Sequence, residues 1–250
     1  MSAPNASTVD RGECRESGEE QIEAFDWDRV SQDLDAQGSA VLEHILARPE
    51  CDRLAALYPR DAAFRSRVVM ARHGFGRGEY KYFSYPLPDL IATLRTSIYP
   101  HLVPIANRWN VAMGIEIRYP DRHADFLEQC HRAGQLKPTP LLLEYGAGDY
   151  NCLHQDLYGE HVFPLQVAIL LSEPGMDFEG GEFVMTEQRP RMQSRAEVVP
   201  LRQGDGVVFA VHNRPVQGSR GVYRVNLRHG VSRVRSGKRH TLGIIFHDAE

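Results

Sequence analysis

From Leu141 to the end of the chain, short apolar runs follow one another at close intervals. They are LLLEY, PLQVAILL, GEFVM, AEVVPL, DGVVFAVH, YRVNLRHGV and TLGIIFH. Runs of this length suit strands better than helices, and turn residues separate them without space for repeated helical crossovers. The pattern predicts an antiparallel sandwich or barrel, with a jelly roll preferred. Periodicity by itself leaves another Greek-key sandwich and another β barrel open.

Ahead of this region the texture is helical. Ile22, Phe25, Val30, Leu34, Val41, Leu42, Ile45, Leu46, Leu54 and Leu57 recur at spacings that cover one helix face, broken at Gly38 and Pro49. Helices are expected between Trp27 and Leu57, near Leu87 to Leu102, and from Ala124 to Ala133, where Gly134 and the rigid KPTP segment end the last one. The glycines of HGFGRGEYKYF are read as turns rather than a phosphate loop. Tyr80, Tyr82, Phe83 and Tyr85 beside them either line a substrate mouth or pack a strand. Residues 1–20, polar and acidic, are expected to be disordered. Residues 21–136 form a helical and mixed support region, packed as one domain with a β core over 137–250. The expected fold class is mainly β with N-terminal helices (α+β).

Bulk properties exclude several classes. At 250 residues the chain can bury a sizeable core, and 42% hydrophobic with 25% charged residues is ordinary for a soluble globular protein. No apolar run approaches bilayer length, and the start lacks a basic segment followed by an apolar one, so a cytoplasmic protein is expected. Cys14, Cys51, Cys130 and Cys152 form no close pair and are read as free thiols. A zinc site from Cys130, His131, Cys152 and His154 lacks compact spacing. The net charge of −4 conceals an arginine-rich stretch from Glu187 to Arg239, which would attract a polyanion if it gathered on one face. A solvated surface with internal salt bridges is the competing reading.

The chemistry starts at His154-Gln155-Asp156. Residues two apart on a strand point the same way, so His154 and Asp156 can face one metal while Gln155 points away. Imidazole plus carboxylate suits Fe(II), and one more histidine would complete a three-residue face with open positions. A lone His-x-Asp triplet occurs too often by chance to carry the assignment. His229 precedes a polar turn and a strongly apolar last strand, which begins at Arg239. If that arginine faces the interior, it offers a two-pronged contact to a carboxylate.

At these positions the chain resembles the iron(II)/2-oxoglutarate-dependent oxygenase superfamily, whose pattern is a His-x-Asp, a distal histidine and an arginine ten positions later. The matching residues are His154, Asp156, His229 and Arg239. The resemblance implies a double-stranded β-helix, Fe(II) on the first three residues, 2-oxoglutarate anchored by Arg239, and dioxygen as the other reactant. His212 competes as the distal ligand but lacks the following arginine. His240 should face away from Arg239, and His247 stands at the far strand end. The blocks KPTPLLLEYGAGDYNCLHQDLYG, FPLQVAILLSEPGMDFEGGEFVM, QRPRMQSR and YRVNLRHGVSRVRSGKRHTLGIIFHDA are similar to a bacterial family of oxygenases acting on alkylated DNA.

That closer resemblance implies oxidative demethylation of alkylated nucleobases, with methylated DNA or RNA as partner. Tyr145 and Asn151 are then candidates for cofactor contacts, Tyr158 for stacking a displaced base, and Arg189, Arg191, Arg195, Arg220 and Arg224 for phosphates. Gly180 and Gly181 are expected to bend the chain before a strand. One departure stands out: better-known alkyl-base demethylases often carry a second arginine six residues beyond the first, where this chain has Ile245. The alternatives are hydroxylation of a protein side chain or small molecule, and a jelly-roll binding protein without turnover.

Overall fold

The computed structural model describes residues 13–157 and 159–250, with side chains from Gly18 onward. The first half contains α1 (Glu13–Glu23), α2 (Trp27–Gln37), β1 (Ser39–Leu42), α3 (Arg48–Ala55), β2 (Phe64–Val69), β3 (Gly76–Arg77), β4 (Glu79–Phe83), α4 (Asp89–Ala112) and α5 (His123–Arg132). The second half begins with β5 (Leu141–Tyr145), β6 (Tyr150–His154), β7 (Leu165–Leu170), β8 (Phe178–Gly180), β9 (Phe183–Gln188) and β10 (Arg195–Val199). It ends with β11 (Gly206–Ala210), β12 (Asn213–Gly218), β13 (Gly221–Val231), β14 (Val234–Gly237) and β15 (Arg239–Ile244).

From β5 onward the chain passes back and forth between two facing antiparallel sheets. The larger runs β1-β11-β7-β15-β5-β4-β2 and the smaller β10-β9-β13-β6-β3, with β12 beside β13; β14 and β8 form a separate pair. This arrangement is the jelly roll expected from the turn-punctuated apolar runs. β7 and β11 are almost wholly buried. Such strands read as continuous apolar runs because both of their faces are covered. Ile91, Leu94, Ile98, Leu102 and Trp109 of α4 share one core with Leu142, Val167, Ile169, Leu242 and Ile244 of the larger sheet. Each large aliphatic side chain buried there contributes roughly 1.5–3 kcal/mol.

The helical half departs from expectation at three places. Ser39–Leu42, inside the stretch expected to be helical, is a strand paired with β11. Gly38 makes the switch possible: at φ 82° it ends α2, and a Cβ there would lie 2.8 Å from Leu227 Cδ1. Helix α4 continues through Pro100 and Pro104 to Ala112 instead of ending near Leu102. Interior prolines cost helix hydrogen bonds, and the burial of Tyr99, Leu102, Val103, Ala106 and Trp109 offsets that loss. Helix α1 begins at Glu13, within the segment expected to be disordered; residues 1–12 lie outside the described residues.

The helices and the chain end meet in a buried ionic knot. Arg95 of α4 donates to Ile245 O at 2.8 Å, His247 O at 3.0 Å and Asp248 Oδ1 at 2.8 Å. Asp248 also accepts from Tyr85 at 2.9 Å and meets His131 of α5 at 2.8 Å.

Candidate metal centre

His154 is the last residue of β6, and its register partner on β13 is His229. Paired residues on neighbouring strands point to the same side, so the two imidazoles meet with ring centroids 4.2 Å apart. Asp156 follows just past the end of β6, with Oδ1 3.4 Å from His154 Nε2 and Oδ2 3.5 Å from His229 Nε2. One donor atom from each residue falls within 4.8 Å of the others, and among the described residues no other His, Cys, Asp or Glu group gathers this way. His154 Nδ1 lies 2.8 Å from Cys152 O. A carbonyl can only accept, so Nδ1 carries a proton and Nε2 is the atom turned to the space shared with Asp156 and His229.

Burial would raise the Asp156 carboxyl, but hydrogen bonds from His154 and His229 outweigh it and hold the group well below the usual carboxylate range. Burial lowers His229. It would lower His154 too, yet the neighbouring Asp156 leaves that imidazole above its ordinary value. Two imidazoles around an ionised carboxylate, held together by a proton, form a donor set that a divalent cation can take over by displacing that proton. The residues fit Fe(II).

A cavity of about 330 Å³ opens over this group, walled by β4, β5, β7, β11, β13 and β15. Arg239, at the start of β15, pairs in register with Tyr145 of β5. It is 2% exposed and no carboxylate pairs with it among the described residues. Burial pushes its guanidinium down to about 10, still charged at neutral pH. One of its NH groups donates to Thr241, while Arg239 Nε and the Tyr145 hydroxyl are buried without hydrogen-bond partners. A buried cation without a counter-ion is costly, so this end of the cavity fits a carboxylate of 2-oxoglutarate. Gly181, at φ 65°, leaves the space Arg239 occupies; a Cβ there would stand 2.9 Å from Arg239 Cδ. Gly180 also has positive φ, in line with the expected bend.

Asn151 of β6 lies in the same cavity wall. The competing histidines are elsewhere. His240 meets Glu144 at 3.0 Å on the opposite face from Arg239, His212 contacts Asn213 at 3.1 Å, and His247 accepts from Phe163 N at 3.2 Å. Gln155 departs from expectation. Because regular alternation stops at His154, its side chain lines the cavity and donates to Asn226 Oδ1 at 3.1 Å and Leu227 O at 2.6 Å. Cys51, Cys130 and Cys152 are free, and His131 is engaged by Asp248, so no zinc cluster forms from them. Cys14 lies outside the described side chains.

None of the five arginines assigned to phosphates lines the cavity. Arg189 pairs with Glu187 at 2.7 Å and Arg224 donates to Met113 O at 2.6 Å, whereas Arg191, Arg195 and Arg220 are exposed. Tyr158 lies outside the described residues. Tyr80 and Tyr82 do line the cavity, whereas Phe83 is core and Tyr85 joins Asp248. Phe75 and Gln166, two further wall residues, were not singled out from sequence. The only local signal for Phe75 was an aromatic inside a Gly-rich turn; Gln166 had none.

The family model described as "Oxygenase, catalysing oxidative methylation of damaged DNA" matches residues 78–249. The chain belongs to that family. Proteins of two Mycobacterium tuberculosis strains, both described as uncharacterized, are 52% identical to it over 167 residues, covering 67% of this chain and 72% of theirs. Solved structures share the fold at lower identity. A 2OG-Fe(II) oxygenase family oxidoreductase from Burkholderia pseudomallei has a TM-score of 0.54 at 16% identity, covering 90% of this chain and 94% of its own. A Trichoplax adhaerens prolyl hydroxylase, in complex with a hypoxia inducible factor peptide fragment, has 0.52 at 13%, covering 95% and 93%. A Pseudomonas putida prolyl-4-hydroxylase has 0.51 at 15%, covering 90% and 99%. The core is therefore a double-stranded β-helix. With the two-histidine, one-carboxylate group in place, this member of the family is an iron(II)- and 2-oxoglutarate-dependent oxygenase acting on an organic substrate. The reading as a binding protein without turnover is set aside. Among the described residues no helix is long and apolar enough to cross a membrane.

Proposed function

We propose that the enzyme removes N-methyl groups from alkylated nucleobases in DNA. The observation that carries this reading is the family match, which spans the whole His-Asp-His-Arg constellation and every cavity wall residue except Phe75. His154, Asp156 and His229 would hold Fe(II), and Arg239 with Tyr145 would take the far carboxylate of 2-oxoglutarate, with Asn151 beside them. Bound Fe(II) supplies the activation of dioxygen. One oxygen atom ends in succinate, formed with carbon dioxide from 2-oxoglutarate, and the other converts N–CH3 to N–CH2OH. The hydroxymethyl group then leaves as formaldehyde and restores N–H.

The chain's own work is positioning. Arg239 orients the co-substrate through charge-assisted hydrogen bonds. Leu141, Leu143, Val231 and Ile245 keep water from the reacting carbon. Phe75, Tyr80 and Tyr82 offer flat faces to a base extruded from its strand. Arg191, Arg195 and Arg220 are exposed and available to phosphates; Arg189 and Arg224 would first leave Glu187 and Met113. Tyr158 is retained as a stacking residue. A cytoplasmic location suits the unpaired thiols Cys51, Cys130 and Cys152.

The test is anaerobic loading with Fe(II), then 2-oxoglutarate, labelled dioxygen and, separately, N-methylated single-stranded DNA, methylated RNA and peptides. Succinate and formaldehyde should rise together with the methylated DNA. Stimulation by peptides alone would overturn the assignment in favour of side-chain hydroxylation.

A further inference from the structure

Among the described residues three glutamines are buried, and the fold satisfies two of them. Gln135 donates to His161 O at 3.1 Å and Asp248 O at 2.5 Å, and Gln203 donates to Leu171 O at 2.9 Å. The third, Gln166, is 4% exposed, lines the cavity, and has an Nε2 with no hydrogen-bond partner. A carboxamide donor left unpaired among apolar neighbours keeps its full desolvation cost with no hydrogen bond to offset it. Nothing in the packing of β7 requires it, because the neighbouring wall residues Val167, Ala168, Phe209 and Ile245 are apolar.

Its place along the strands separates it from the co-substrate end. The register of β15 on β7 sets Ile244 opposite Val167, so Gln166 lies one residue further from Arg239 than that pair. Arg239 and Ile244 are five residues apart on β15, which corresponds to about 17 Å at strand rise. On the other side, Gln166 pairs in register with Phe209, whose ring lies 4.5 Å from that of His229. Gln166 thus faces the cavity near the metal group but at the opposite end from Arg239. Ile245, the cavity residue at the matching level of the adjacent chain segment, offers no hydrogen bond.

We infer that Gln166 is a specificity-determining residue that hydrogen-bonds the heteroatom edge of the group presented for oxidation. This rests on the nucleobase reading and deepens it. A planar methylated base carries ring nitrogens, carbonyls or amino groups next to the reacting carbon, and can satisfy the carboxamide while its faces meet Phe75, Tyr80 and Tyr82. An aliphatic side chain of similar size would leave Gln166 unpaired.

The decisive comparison uses the full-length Fe(II)-loaded protein with Gln166→Leu and Gln166→Glu, assayed on single-stranded oligonucleotides carrying N-methylated adenine, cytosine or thymine. Gln166→Leu should lose roughly tenfold or more in kcat/KM on the best wild-type substrate while binding 2-oxoglutarate within twofold of wild type. Its melting temperature without substrate should hold or rise, because an unpaired polar group has been removed. Gln166→Glu, which only accepts, should change the order of preference among the three bases. An unchanged kcat/KM and base order in both variants overturns the inference alone. A parallel loss of 2-oxoglutarate affinity, or a drop in melting temperature that accounts for the lost activity, overturns it by showing a co-substrate or structural contact. Wild-type turnover on peptides and on none of the oligonucleotides overturns the nucleobase reading and this inference together.

Discussion

Arg95 and Arg239 are buried to the same 2% exposure, yet their surroundings differ in kind. Arg95 directs its donors to Ile245 O, His247 O, Thr139 and Asp248, closing the end of the chain onto α4. Arg239 has Thr241 and two aromatic rings nearby but, among the described residues, no carboxylate at ion-pair distance. The contrast extends beyond the two arginines. Of the six buried side-chain atoms without hydrogen-bond partners among the described residues, four belong to cavity residues: Tyr145, Gln166, His229 and Arg239. Burying polar groups is costly wherever it occurs. Where the fold supplies the partners, the group serves structure; where it withholds them at the wall of a cavity, as at Tyr145, Gln166 and Arg239, polar atoms are left for an entering molecule to meet.

Substitutions in the two regions should therefore act on different observables. Asp156→Ala should reduce iron-supported succinate formation by at least roughly a thousandfold while leaving the urea midpoint of the metal-free protein within a few tenths molar. Retained turnover would remove Asp156 from the site. Asp248→Ala should do the reverse, stranding the Arg95 charge and costing about 3–5 kcal/mol of unfolding free energy. Turnover per folded molecule should survive, and a stability change under about 1 kcal/mol would mean that the knot behaves like a surface pair. Arg239→Met should weaken 2-oxoglutarate by roughly 30–100-fold, read by titration, with iron uptake preserved. Equal loss of both would place Arg239 in the metal group's support and blur the contrast.

A further effect is one of pH. Burial, reinforced by the Arg95 charge, pushes both His123 and His247 down to about 4. Their unfolded counterparts titrate near 6.5, so between those values the unfolded state binds more protons. Stability is then fully present above pH 6.5 and falls as the pH drops towards 4. The expected loss is about 2 kcal/mol for each histidine between pH 7 and pH 5, visible as a falling melting temperature. A flat profile across that window would show that the knot already accommodates protonated histidines.

Much of this molecule was legible along the chain because the relevant signals are local. Turn residues between short apolar runs announced the β-rich second half, and the spacing of His154, Asp156, His229 and Arg239 pointed to one chemistry before any contact was known. The misreadings came where distant partners overrode local preference. Ser39–Leu42 is a strand because β11 offers an edge, and α4 runs through two prolines because the larger sheet covers it. Tertiary structure alone decided that His154 and His229 stand opposite each other, that Gln155 turns inward, and that Phe75 and Gln166 reach the cavity. Nothing within a few residues of Gln166 distinguishes it from a surface glutamine. Its burial and its missing partner come from strands far away in sequence, since solvation and hydrogen bonding depend on what surrounds a side chain in space.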